Sequence, residues 1–146
     1  MNKKNQKGFT LIEIMVVVII LGLLAGIVLP KILGREEEAK VSSAKVQIKS
    51  MESALDGFKL DNGFYPTTEQ GLSALIKKPE VGRIPEKWSE GGYLKPARIP
   101  KDPWGKDYLY FSPGNEGRDY EILSYGADNE PGGDGRNADI ESWKIE

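Results

Sequence analysis

Apolar residues fall into three patterns along this 146-residue chain. Between Phe9 and Leu29, 17 of 21 positions are apolar, broken only by Thr10, Glu13, Gly22 and Gly26. Such a run is apolar on every face, and as a helix it rises about 31 Å, enough to span a bilayer core. Further on, Val41, Ala44, Ile48, Met51, Leu55 and Phe58 recur at alternating intervals of three and four, with charged residues between them. That spacing is one stripe of an amphipathic helix. The stripe fits a coiled-coil dimer or a helix covering a small sheet in its own chain. The second reading is favoured, because about three heptads are short for a coiled coil and turn signals follow at once. Pro30 lies between the two patterns and is expected to kink or interrupt the helix. Asp61-Asn62-Gly63 reads as its stop.

The third pattern, from residue 63 onward, is short and broken by turns. Thr67 or Thr68 is the expected cap of a short helix running to about Lys77. Pro79, Pro85, Pro96, Pro100 and Pro103 exclude continuous helix after it. Residues 107–112 (DYLYFS) and 119–124 (DYEILS) have strand composition and flank Pro113-Gly114-Asn115-Glu116-Gly117, a hairpin signal. A third strand is expected at 143–145. Trp88, Trp104 and the tyrosines are expected to fill a modest core against the long helix.

Composition sharpens this division. The mean hydropathy of −0.42 averages one greasy segment with a polar remainder. The length suits one small domain. With no Cys there is no disulfide, thiolate metal site or Cys nucleophile, and with no His the usual general base and commonest transition-metal ligand are missing. A net charge of −2 argues against a nucleic-acid partner. Ser42 to Lys45 has an S-x-x-K spacing, but both residues lie on the polar side of the amphipathic helix and no KTG or SDN partner exists. The chain has no P-loop. It is therefore read as a non-enzyme.

Lys3, Lys4 and Lys7 precede the apolar run, and no A-x-A pattern follows it. The residues alone suggest a single-pass anchor with its lysines on the cytoplasmic side. Glu13 breaks that picture, since a carboxylate inside a membrane is costly unless it snorkels to the interface or finds a partner charge. Gly8-Phe9-Thr10-Leu11-Ile12-Glu13 resembles the class III signal of type IV pilins and pseudopilins. The resemblance implies cleavage between Gly8 and Phe9 by a prepilin peptidase, methylation of the new terminal Phe9, and pairing of Glu13 with the N-terminal amine of a neighbouring subunit during assembly. Loss of residues 1–8 would take the side-chain charge from −2 to −5.

Residues 128–139 hold four acids, one Arg and three glycines. Clustered carboxylates with backbone oxygens are the ligand set of calcium. Asp128 and Asp139 stand at positions 1 and 12 of a twelve-residue window, but Glu130 at position 3 and Gly132 at position 5 depart from an EF-hand. From the residues alone, the loop is either a calcium site or a solvated acidic loop. A small disulfide-free domain gains from such a staple.

Further blocks resemble the major pseudopilin family of type II secretion, the general secretion pathway protein G family. They are Tyr65 to Leu72, Gly92-Tyr93-Leu94, Pro100-Lys101-Asp102-Pro103-Trp104-Gly105, Tyr108-x-Tyr110, and Gly126-Ala127-Asp128 with Asp139-Ile140. The resemblance implies an α+β, type IV pilin-like fold: a long N-terminal helix, membrane-spanning in its first half, packed on a small antiparallel sheet with a calcium-binding C-terminal loop. It divides the chain into a leader (1–8), a transmembrane and fibre-core helix (9–29), its amphipathic continuation (30–60) and a periplasmic globular part (61–146). Calcium would be held by the side chains of Asp128, Asp134 and Asp139 and the backbone oxygens of Tyr125 and Arg136, with Asp134 the weakest match. The implied protein is a single-pass inner-membrane subunit that polymerises with itself into a periplasmic pseudopilus and drives export of folded proteins. Its implied partners are minor pseudopilins, the inner-membrane assembly platform, the prepilin peptidase and the membrane. The alternative is a type IV major pilin for adhesion, motility or DNA uptake, though such pilins commonly close their last loop with a disulfide.

Overall fold

The computed structural model describes residues 8–145. One helix, α1, spans Leu11–Asn62. It is followed by short strands β1 (Leu109–Phe111), β2 (Glu121–Ser124) and β3 (Ile140–Glu141), with single 3₁₀ turns at Leu72–Leu75, Gly135–Asn137 and Ser142–Lys144. The chain divides into two compact units, Met1–Glu37 and Glu38–Glu146.

In the first unit, every residue from 8 to 30 is exposed. Among the described residues, α1 is the one helix long and apolar enough to cross a membrane. The expected interruption at Pro30 is absent, since α1 continues through it. Proline removes one N–H and crowds the carbonyl four residues back, a local cost of about 3 kcal/mol. In a helix this long, cooperative propagation on both sides outweighs one missing bond.

In the second unit, the periodic stripe is the core. Ala44, Ile48, Met51, Leu55 and Phe58 are buried, and Val41 packs at the margin. They share one cluster with Leu72, Leu75, Leu94, Tyr108, Tyr110, Ile122 and Ile140. The stripe is thus consumed inside its own chain, which removes the coiled-coil reading. Phe58 anchors an aromatic group, with Phe64 edge-on at 5.5 Å and Tyr93 at 5.4 Å. Trp88 and Trp104 pack on the cluster, and the Trp88 indole N–H donates to the Ala74 carbonyl at 2.8 Å. α1 ends where the sequence indicates: the Gly63 N–H donates to the Lys59 carbonyl at 2.7 Å.

The strands form an antiparallel sheet in the order β1-β2-β3. Leu109 faces Leu123 and Phe111 faces Glu121, so the hairpin forms where the sequence predicts it. Two expectations need correction. The helix expected from Thr67 to about Lys77 is a turn followed by a 3₁₀ turn. Thr67 and Gln70 do form a reciprocal cap (Thr67 N–H to Gln70 Oε1, 3.0 Å; Gln70 N–H to Thr67 Oγ1, 3.3 Å). Gly71 then adopts φ 61°, which ends the helix after one turn. The third strand is at Ile140–Glu141 rather than 143–145, because Ile140 pairs with Ser124 and Ser142–Lys144 turns away.

Candidate functional site

Two regions carry the chemistry that the sequence singles out. The first is the N-terminal end of α1. Gly8 and Phe9 precede the helix and are exposed, as a processing site requires. Thr10 caps the helix. Its N–H donates to Glu13 Oε2 at 2.8 Å and its hydroxyl to the same oxygen at 3.2 Å, while the Glu13 N–H donates to Thr10 Oγ1 at 3.3 Å. This is a capping box, the reciprocal pattern that satisfies orphan amides at a helix start. Glu13 therefore already has partners within its own chain, which the sequence reading had not foreseen.

The second region is the loop between β2 and β3. The Ser124–Ile140 pair closes its neck. Inside, the Ala127 N–H donates to the Arg136 carbonyl at 3.1 Å, and Gly126 (φ 66°) lies so close to the chain that an added Cβ would sit 2.8 Å from the Ala138 oxygen and 3.0 Å from the Arg136 oxygen. Asp139 Oδ2 accepts the Gly132 N–H at 2.9 Å. Asp139 Oδ1 is buried, and among the described residues no donor reaches it. Asp128 is exposed and its Oδ1 accepts the Glu130 N–H at 3.2 Å. Asp134 is exposed and makes no side-chain cap to the 3₁₀ turn that follows it. Tyr125 is half-buried at the loop's start.

The five ligands implied by the resemblance thus share one loop, but they do not form a cage. Among the described residues, no three acidic side chains converge on a common point. The chemistry present still fits a hard cation. A buried carboxylate oxygen with no donor is short of a partner, and the loop offers further carboxylates and backbone oxygens, although Lys45 and Lys144 line the same cavity as Asp139.

Sequence reasoning missed two buried polar clusters, one at the neck of this loop and one in the β1–β2 hairpin. Asp102 and Ser124 are buried and bonded to each other at 2.6 Å. Glu121, also buried, accepts from the Asn115 N–H, the Asn115 amide and the Arg118 guanidinium, which lies over the Trp143 ring. The hairpin loop was the available signal for Glu121, whereas the Asp-Pro-Trp-Gly turn marks Asp102 but not its partner.

Residues 31–143 match the family described as type II secretion system (T2SS), protein G, and residues 3–29 match the prokaryotic N-terminal methylation motif. The chain is 51% identical to the type II secretion system core protein G of Vibrio cholerae, over 98% of this chain and 95% of that one. It is 50% identical to the protein of the same name in Pseudomonas aeruginosa, over 98% and 99%. The crystal structure of the major pseudopilin from the type 2 secretion system of enterohaemorrhagic Escherichia coli is similar in fold, with a TM-score of 0.66 and 39% identity over 77% of this chain and 94% of that one.

Proposed function

This chain belongs to the type II secretion system protein G family, and from that membership we infer that it is a major pseudopilin, a core structural subunit of the type II secretion pseudopilus. The observation that carries this is the adjacency of the two family matches. A methylation motif over 3–29 runs directly into the protein G region over 31–143, so the processing signal and the subunit body are one chain. The same match favours secretion over a type IV pilus for adhesion or motility.

The mechanism follows from the chain's two units. The prepilin peptidase cuts between Gly8 and Phe9, which keeps the apolar run and creates a new amine beside Glu13. The run anchors the subunit once in the inner membrane, with the globular unit in the periplasm. Burying the exposed faces of residues 9–29 against other copies replaces lipid contacts with helix–helix packing, which provides a fibre core. Energy for assembly comes from outside the chain, and the growing fibre moves folded proteins towards the outer membrane.

Calcium is the ion this reading assigns to residues 125–139. Asp128, Asp134 and Asp139 would supply carboxylates, and Tyr125 and Arg136 backbone oxygens. The support is the unpartnered, buried Asp139 Oδ1 in a loop of hard oxygen donors. When bound, the ion would neutralise the loop's acids and stabilise the folded state by mass action, by about 2.7 kcal/mol at a hundredfold excess over Kd.

The test reconstitutes the full chain with its peptidase and assembly machinery. The expected product begins at a methylated Phe9. A Glu13→Ala chain should be processed yet form no fibres, and normal fibres from it would remove the pairing role of Glu13. Thermal melts with calcium and with chelator should differ for the parent but not for Asp128→Ala.

A further inference from the structure

The Asp-Pro-Trp-Gly turn has no part in the mechanism above, yet it holds a charged side chain inside the globular unit. Asp102 is 4% exposed and Ser124 1% exposed. Asp102 Oδ1 accepts from the Trp104 N–H at 3.1 Å and the Lys106 N–H at 2.7 Å, which closes the turn. Asp102 Oδ2 accepts the Ser124 hydroxyl at 2.6 Å. Ser124 Oγ in turn accepts the Gly126 N–H at 3.3 Å.

Direction matters in this chain of bonds. Ser124 gives its one hydroxyl proton to Asp102 Oδ2, which leaves an oxygen lone pair for the Gly126 N–H. Ser124 also pairs with Ile140 across the loop's neck. Gly126 lies against the Arg136 and Ala138 oxygens, and Asp139 immediately precedes Ile140. One hydroxyl therefore ties the start of the loop to a turn 22 residues earlier, while strand pairing of the same residue with Ile140 holds the loop's other end. A buried carboxylate is an expensive way to close a turn by itself.

We propose that Asp102 is a positioning residue for the cation loop, acting through the Ser124 hydroxyl to fix Gly126 and, through it, the oxygens of residues 136–139. The proposal rests on the calcium reading for its functional consequence, but not for its structural one. Groups behind metal ligands typically change affinity by about 10- to 100-fold when removed.

The experiment uses the full chain in detergent micelles, with Ser124→Ala and Asp102→Asn. Asn in either orientation leaves a donor unpaired: its amide faces either the Ser124 hydroxyl or the two turn N–H groups. Ser124→Ala is the milder change and serves if Asp102→Asn does not fold. Two readouts are taken. The first is amide hydrogen exchange in chelator: Gly126 and Ala127 should exchange at least about tenfold faster in Ser124→Ala, while amides of Ile48 to Leu55 keep the parent's rates. The second is calcium affinity by titration, which should weaken about tenfold. Unchanged exchange at Gly126 and Ala127 overturns the positioning role, as does faster exchange spread equally through the core. Loosened exchange with unchanged calcium affinity overturns its link to the ion. A parent that does not bind calcium, paired with faster loop exchange in the variant, sinks the calcium reading and leaves the positioning role standing.

Discussion

Replacing Glu121 by glutamine removes a charge from the hairpin while keeping its shape. The carboxylate is 2% exposed. Oε1 accepts from the Asn115 N–H at 2.8 Å and from two Arg118 nitrogens at 2.9 Å; Oε2 accepts the Asn115 amide at 3.1 Å. Burial pushes its pKa up, but the Asn115 N–H and the Arg118 guanidinium outweigh that and hold it below the ordinary 4.5. Glutamine keeps an acceptor for the Asn115 N–H, and Asn115 can turn its amide to meet the new NH₂. What is lost is the charge on the acceptor, worth about 1 kcal/mol for each of two or three bonds that are not fully additive. The expected loss is about 2 kcal/mol. Urea unfolding of the full chain in micelles measures it, followed by Trp fluorescence, because Trp88, Trp104 and Trp143 all lie in the globular unit. The folded pKa is depressed, so the carboxylate's contribution is complete above 4.5 and disappears as pH falls through the lower folded value. The gap between parent and variant should therefore close progressively as pH falls from about 5 through the carboxylate's lowered folded value. A gap that stays constant over that range, or no gap at pH 7, would refute the reasoning.

Three further outcomes are expected. Gly126→Ala should destabilise by about 3 kcal/mol, against about 1 kcal/mol for Gly117→Ala, because both glycines have positive φ but only Gly126 meets backbone oxygens; equal melting shifts would remove the steric argument. Phe58→Ala should cost about 4 kcal/mol in the same urea assay, since Phe58 is fully buried between Phe64 and Tyr93. In alkali, burial and then the Asp56 bond push Tyr65 up to about 12, and burial pushes Tyr108, Tyr110 and Tyr120 higher still. Their stabilisation is complete below pH 10 and is lost as pH rises through the folded values, so phenolate absorbance from these four should appear together with unfolding.

What could be read in advance depended on the range of the forces involved. The Val41 to Phe58 stripe was legible because helix period and burial agree there, and its core residues came out as read. The hairpin was legible because Pro113 to Gly117 permits few other turns. The third strand was misplaced because two residues, Ile140 and Glu141, carry no propensity signal of their own; pairing with Ser124 and Leu123 selects them. Gly71 was visible in the sequence, but its positive φ was not, so one turn of helix was read as three. The 125–139 loop stood out by its acids and glycines, and its ligand set came only from the family resemblance. The buried Asp102–Ser124 bond was invisible, since no local spacing pairs residues 22 positions apart.

The Thr10–Glu13 capping box changes what a second copy could gain from this acid. A lone carboxylate would add a partner's charge and gain the whole interaction. Here the acid already accepts an amide and a hydroxyl from Thr10, and leader removal would leave both donors in place. Both bonds fall on Oε2, so a contact with another copy meets an acid whose charge is already partly matched, and it gains less than a lone carboxylate would give. A chain held this way keeps its acid partly satisfied before any neighbour arrives, and the Thr10 hydroxyl sets part of that satisfaction.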